Sequence, residues 1–183
     1  VQMLMMSVAN PMLLTHFNTT ATQVGLLVTG MFAGEVLGAA MWAWISDKWG
    51  RRYVWIGTAA WTALFGALSA CCSSFITLII YRSLTGFGLG GAMAIDLVYF
   101  LEFVPAKNRG RRTAFIIFVG ILGLLYIALA GALCRPDWRW FLAVCCIPSV
   151  ALFLGRLCWM HETPRYLATK GKLMEAQEVL QKM

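Results

Sequence analysis

Five long apolar segments constrain the fold of this chain more than any other feature of its sequence. Each contains about 20 residues or more, so each forms roughly 30 Å of helix, the thickness of the hydrocarbon core of a bilayer. The chain is 60% hydrophobic and only 13% charged, a balance that a soluble domain of 183 residues does not show. We therefore predict an all-α, multi-pass membrane protein and exclude a soluble globular enzyme. The segments cover residues 24–46, 53–72, 75–101, 113–133 and 140–160.

The first residues supply a sixth span. Residues 1–14 are apolar but shorter than the other segments, and they contain an Asn10-Pro11 pair. They lack the charged leader and the small-residue cleavage site of a signal peptide. We interpret them as the outer part of a first span whose beginning is missing. This predicts a six-helix transmembrane bundle over residues 1–160, followed by a cytoplasmic tail over residues 161–183.

The basic residues predict the orientation of these spans. Eleven of the 15 Lys and Arg lie in the loops 47–52 and 102–112 and in the tail. Because cytoplasmic loops are enriched in Lys and Arg, these three regions are predicted to be cytoplasmic. The same distribution accounts for the net charge of +7 without a nucleic-acid partner. From Pro164 onward, apolar residues recur at helical spacing, which predicts an amphipathic helix on the lipid surface or beneath the bundle.

Ionisable side chains within the spans are candidate functional residues, because a charge in the bilayer is costly unless it is paired or hydrated. Glu35 lies at the middle of its span and is the first candidate for proton coupling or cation contact. The alternative is a neutral carboxylic acid that hydrogen-bonds to another helix. Arg82 is a candidate for holding an anionic substrate, with a structural ion pair as the alternative. Asp96, on the same span as Arg82, is expected to be structural.

The glycines that follow Arg82 predict close helix packing. Gly86 and Gly90 lie on one helix face, as do Gly34 and Gly38, and such small-residue faces let neighbouring helices approach. No strand precedes them, so they do not form a dinucleotide-binding loop. The sequence contains no metal-ligand cluster and no catalytic constellation, which predicts neither a cofactor nor an enzymatic activity.

Four motifs in order resemble those of the major facilitator superfamily. Residues 47–52 (DKWGRR) resemble its signature between the second and third spans, and residues 82–90 (RSLTGFGLG) resemble the Arg-and-Gly motif of its fourth span. Residues 102–110 (EFVPAKNRG) and 162–165 (ETPR) resemble the elements that follow its fourth and sixth spans in the sugar-porter-like branch. Within that branch, residues 5–7 (MMS) with Pro11, 100–105 (FLEFVP) and 137–140 (DWRW) are most similar to synaptic-vesicle-protein-related and organic-ion or aromatic-acid transporters.

The resemblance implies the N-terminal half of a major facilitator fold, with 3+3 inverted repeats and the start of an intracellular helix. It implies a secondary active transporter that moves a small organic solute by alternating access, either coupled to protons or not. A second six-helix half is the implied partner, so we expect this segment alone not to catalyse transport. The protein is expected in the plasma or a vesicle membrane. The alternative function is that of a non-transporting, transporter-like membrane protein with a binding or vesicle-trafficking role.

Two departures from the family pattern bear on the substrate. Related proteins often carry Glu where Gln2 stands, which removes a titratable group from the first span. Sugar carriers generally have Gln where Ile117 stands, so a sugar becomes a less favoured substrate than an organic ion or an aromatic acid.

Two sets of residues follow from these arguments. Substrate or coupling contacts are expected from the first, second, fourth and fifth spans, at Gln2, Asn10, Glu35, Arg82, Phe118 and Tyr126. Charged residues at the cytoplasmic helix ends are expected to pair as a latch that holds the inner gate shut, with static helix-end pairing as the alternative. They are Asp47, Arg51, Arg52, Glu102, Arg109, Glu162 and Arg165.

Overall fold

The computed structural model consists of six α-helices and no strand in the residues that it describes, which are 2, 4–17, 19–103, 109–134 and 137–159. This confirms the predicted all-α fold with six helices. The predicted amphipathic tail helix lies outside the described residues. The helices are α1 (Met5–Phe17), α2 (Ala21–Trp49), α3 (Arg51–Ala70), α4 (Phe75–Phe103), α5 (Arg109–Leu133) and α6 (Trp138–Trp159).

Four of these helices are long and apolar enough to cross a membrane. They are α2, α3, the Phe75–Asp96 part of α4 and the Trp138–Cys158 part of α6. In the described residues, α1 and α5 contain the shorter apolar stretches Met5–Leu14 and Phe118–Leu133. Many large apolar side chains point away from the bundle, such as Val36 with 71% and Leu37 with 66% of their surface exposed. Outward apolar faces are typical of helices that contact lipid.

Helices α2 and α4 approach each other through glycines, as the spacing predicted. A Cβ atom at Gly34 would collide with the Ser83 carbonyl group of α4, and one at Gly90 would collide with the Glu35 carbonyl group of α2. The absence of side chains lets the two backbones touch. This packing places the backbone of Glu35 directly against α4.

Gly50 makes the sharp connection between α2 and α3. Its φ of 98° lies in the left-handed region, which a residue with a Cβ rarely adopts. Its N–H group donates to the Ser46 carbonyl oxygen at 3.1 Å and so ends α2. As a result, Asp47 falls in the last turn of α2 and Arg51 begins α3.

The buried apolar core connects all six helices. It contains side chains from both early and late helices, so the bundle is held together by contacts between distant parts of the sequence. Arg82 lies one helical turn beyond the core residue Leu78 on α4. One core side chain from each helix in turn is Leu13, Leu27, Ala70, Leu78, Ile127 and Phe141.

Candidate functional site

Arg82 is the largest of the fully buried side chains in the described part of the chain, with 0% of its surface exposed. Its Nη1 donates to the Gln2 side-chain oxygen at 3.1 Å, and its Nη2 donates to the Ser69 hydroxyl oxygen at 2.8 Å. Its Nε has no hydrogen-bond partner among the described residues. A permanent positive charge in the interior of the bundle is thus held by two neutral side chains.

Gln2 connects this arginine to α6. Only 3% of its surface is exposed, and its amide oxygen faces Arg82. Its amide nitrogen lies 3.2 Å from the Cys145 carbonyl oxygen, 3.1 Å from the Ser149 hydroxyl oxygen and 3.6 Å from the Cys146 sulfur. The oxygen and the nitrogen of one amide are therefore both used, each toward a different helix.

Ser69 is a member of this site that the sequence analysis missed. Its fully buried hydroxyl accepts from Arg82 and donates to the Gly66 carbonyl oxygen at 2.5 Å. This second bond fixes the direction of its lone pairs, so Ser69 orients the guanidinium group. The sequence offers no signal that separates Ser69 from the other small residues of α3.

The guanidinium of Arg82 has no carboxylate within 4 Å among the described residues. The structural ion pair considered as the alternative for Arg82 is therefore absent from the described part of the chain. Asp96, on the same helix, pairs instead with Arg156 of α6, at 2.9 Å.

The cluster of Arg156, Asp96 and Trp55 was also missed by the sequence analysis. Arg156 Nη2 lies 2.9 and 3.1 Å from the two carboxylate oxygens of Asp96, and Nη1 donates to the Trp55 carbonyl oxygen at 3.0 Å. The guanidinium group also lies 4.1 Å from the centre of the Trp55 ring, and the indole N–H donates to Asp96. These contacts connect α3, α4 and α6 and agree with a structural role for Asp96.

None of the described contacts joins Glu35 to the Arg82 cluster. It is half-buried, and its Oε2 atom is shielded from solvent and has no hydrogen-bond partner in the part of the chain that the structure describes. Its backbone carbonyl packs against Gly90, as described above. An unpartnered carboxylate oxygen inside a bundle is a group that can take up a proton or contact a cation.

The remaining three candidates differ in their surroundings. Asn10 is half-buried on α1, and its side-chain oxygen has no hydrogen-bond partner within the described ranges. Tyr126 donates its hydroxyl to the Val144 carbonyl oxygen at 2.7 Å, which ties α5 to α6. Phe118 lies on α5 with 55% of its surface exposed. The structure thus brings Gln2 and Arg82 together and describes no contact from these three to that pair.

The expected cytoplasmic latch is described only in part. Asp47 and Arg51 line one small cavity of about 70 Å³ between α2, α3 and α4, together with Ser46 and Ile95. Arg52 is half-buried at the start of α3. The other expected members, which are the side chains of Glu102 and Arg109 and the whole of Glu162 and Arg165, lie outside the described residues.

Comparison with known proteins gives a consistent set of relatives. Residues 1–183 match a family model described as sugar (and other) transporter. The chain is 38% identical over 186 residues to organic cation/carnitine transporter 7 of Arabidopsis thaliana, covering 100% of this chain and 36% of that protein. It is 37% identical over 175 residues to the D-xylose transporter of Levilactobacillus brevis, covering 92% and 37%. It is 29% identical over 184 residues to the synaptic vesicle 2-related protein of Xenopus laevis, covering 100% and 33%.

The fold agrees with these relatives. A partially occluded, inward-open structure of the xylose transporter XylE from E. coli matches with a TM-score of 0.83 at 24% identity, over 99% of this chain and 49% of that chain. The chain therefore spans about a third of its curated relatives and about half of this solved structure. The architecture is that of the N-terminal half of a major facilitator fold, and the relatives are transporters rather than enzymes. The chain is an integral, multi-pass membrane protein that belongs to the sugar (and other) transporter family of the major facilitator superfamily.

Proposed function

We propose that the protein containing this chain is a secondary active transporter that moves a small organic solute by alternating access. The observation that carries the proposal is Arg82, a fully buried charge with neutral partners inside a membrane bundle. Ionisable groups in such positions are expensive and are typical of substrate and ion pathways. An organic ion or an aromatic acid is favoured over a sugar, because a charged side chain in the site interacts more strongly with a charged solute than with a neutral one.

The substrate site is centred on Arg82 and Gln2, close to the midplane where two six-helix bundles face each other in this superfamily. Asn10, Phe118 and Tyr126 contribute outer contacts that form when the second bundle closes. Glu35 couples transport to protons, a role supported by its unpartnered carboxylate oxygen. The second six-helix half supplies the opposite wall of the site.

The proposed topology has the bundle 1–160 in the plasma or a vesicle membrane. Loops 47–52 and 102–112 and the tail 161–183 face the cytoplasm, in agreement with their excess of basic residues. The charged residues of these regions form the latch of the inner gate, which opens when the substrate site is exposed to the cytoplasm.

Counterflow in proteoliposomes tests the function. Proteoliposomes that contain the full-length protein are loaded with unlabelled solute, and the uptake of labelled benzoate, tetraethylammonium or D-xylose is followed. We expect saturable exchange of an organic ion, and we expect Arg82→Gln to lower that exchange by about tenfold or more, because it removes the buried charge. Arg139→Gln is the matched control, since Arg139 is an exposed arginine outside the cluster.

A transporter-like protein with a binding or vesicle-trafficking role is the second candidate. It is favoured by the 29% identity to the synaptic vesicle 2-related protein of Xenopus laevis. The same experiment separates the two functions, because a correctly folded protein that exchanges none of the three solutes contradicts the transporter.

A further inference from the structure

We propose that Gln2 determines the charge of the solute that this carrier accepts, by leaving Arg82 without a counter-charge, so that an organic anion completes the site. The inference rests on the proposed function, since it names the substrate class of the same site.

The charge balance of the site is the first argument. Arg82 carries a permanent charge, is fully buried, and has Gln2 and Ser69 as its hydrogen-bond partners. In the described part of the chain, no carboxylate comes within 4 Å of its guanidinium group, and its Nε–H donates to no acceptor. A buried charge without an opposite charge is unfavourable, so an anion that reaches it is stabilised. A cation is repelled, and a neutral solute leaves the charge uncompensated.

The second argument is that the groups around Gln2 match the acceptor and the donor of an amide. Glu and Gln have the same shape, so a carboxylate in place of Gln2 would form an ion pair with Arg82 across the same 3.1 Å contact. The other end of the Gln2 amide, however, donates toward the Cys145 carbonyl and the Ser149 hydroxyl oxygens. A carboxylate oxygen there would face the carbonyl oxygen without a hydrogen to share. The amide satisfies both sides and keeps the site positively charged.

The donor geometry defines the class of anion. A guanidinium group binds a carboxylate through paired N–H donors, an arrangement that an ammonium group cannot supply. Arg82 is fully buried in this conformation, so the carboxylate reaches the guanidinium group when the Gln2 contact at Nη1 opens. Ser69 then keeps Nη2 in place and fixes the orientation of the guanidinium group. The site is thus suited to a small organic carboxylate.

Three ligands with the same phenyl ring and different charge test this inference. Benzoate, benzyltrimethylammonium and benzyl alcohol are added separately to the purified full-length protein, and the increase in Tm is measured as a function of ligand concentration. A ligand that binds the folded state raises Tm by an amount that grows with the logarithm of its concentration relative to Kd. This readout requires binding but not transport.

We expect benzoate to raise the Tm of the wild-type protein and the other two ligands to have little effect. Gln2→Glu is expected to lower the affinity for benzoate by about tenfold or more, because the new carboxylate takes the place of the anion. Gln23→Glu is the matched control, since it adds the same charge at an exposed position outside the site, and it is expected to bind benzoate as the wild-type protein does. The Tm of each variant without ligand, compared with that of the wild-type protein, shows whether the variant folds.

The outcomes separate this inference from the transport function. Charge-selective binding of benzoate without counterflow supports the anion site and contradicts the transporter. Counterflow of tetraethylammonium or D-xylose without benzoate binding supports the transporter and overturns the anion site. The inference is also overturned if none of the three phenyl ligands changes Tm, if the charge of the ligand makes no difference, or if a folded Gln2→Glu variant binds benzoate as tightly as the wild-type protein.

Discussion

Arg156 on α6 and Asp96 on α4 form an ion pair at 2.9 Å, and Trp55 on α3 contacts both partners. In this pair the charges of Asp96 and Arg156 compensate each other. Arg82, at a different level of the same helix α4, has only neutral partners among the residues that the structure describes. The two arginines therefore differ in their surroundings: Arg156 connects three helices, whereas Arg82 is the proposed contact for a solute.

Asp96→Asn is expected to lower the free energy of unfolding by about 1–3 kcal/mol, because it leaves Arg156 without its counter-charge. Thermal unfolding of the full-length protein in detergent measures the effect. Asp137→Asn is the control, since Asp137 is exposed. The double variant Asp96→Asn/Arg156→Gln is expected to lose less than the sum of its single changes. Additive losses would contradict the pairing.

Gly34→Ala is expected to destabilise the bundle by about 1–3 kcal/mol, because the new methyl group meets the Ser83 carbonyl group and separates α2 from α4. Gly25→Ala on the same helix is a matched control, since a Cβ at Gly25 meets no atom within 4 Å. Unfolding curves of the two variants measured side by side test the close packing. Equal stabilities would show that the two helices do not touch at Gly34.

Ser69→Ala is expected to weaken solute binding more than it lowers the free energy of unfolding. The reason is that Arg82 Nη2 loses its acceptor and the guanidinium group loses its fixed direction. For a transported anion, KM is expected to rise by about fivefold or more while the protein remains folded. Ser74→Ala, at an exposed serine in the loop before α4, is the control. A change in kcat with an unchanged KM would argue against a role for Ser69 in positioning Arg82.

Glu35→Gln tests proton coupling. If Glu35 carries the proton, the variant is expected to lose uptake driven by a pH gradient and to keep exchange of solute in counterflow, which needs no proton flux. The ratio of the two rates in the same proteoliposomes is the measurement. A variant that accumulates solute down a pH gradient as well as the wild-type protein would remove Glu35 from the coupling mechanism.

The orientation of the bundle is tested with the cysteines between α3 and α4. Cys71 is exposed and Cys72 is buried, and burial raises the pKa of the Cys72 thiol above its usual value. Since the thiolate is the reactive form, Cys72 is expected to react slowly at neutral pH and faster as the pH rises. A membrane-impermeant maleimide applied to intact cells is therefore expected to label Cys71 first, and Cys71→Ser to remove most of the signal. For protein in the plasma membrane, labelling of Cys71 only after permeabilisation would reverse the proposed topology.

The sequence by itself determined the architecture. Apolar length gave six helices, and the spacing of Gly86 and Gly90 indicated a close helix contact, because both are local properties of one segment. The motifs indicated the superfamily in the same way. Arg82 and Glu35 stood out because ionisable groups are rare in apolar segments.

Only the tertiary structure decided which of these groups meet. Gln2 contacts Arg82 across 80 positions of sequence. Asp96 lies on the same helix as Arg82, yet it pairs with Arg156, 60 positions away. Ser69 carries no signal at all in the sequence. Such contacts depend on the order of the helices in the bundle and on the rotation of each about its axis, which are set by packing between distant segments and leave no periodic trace within any one of them.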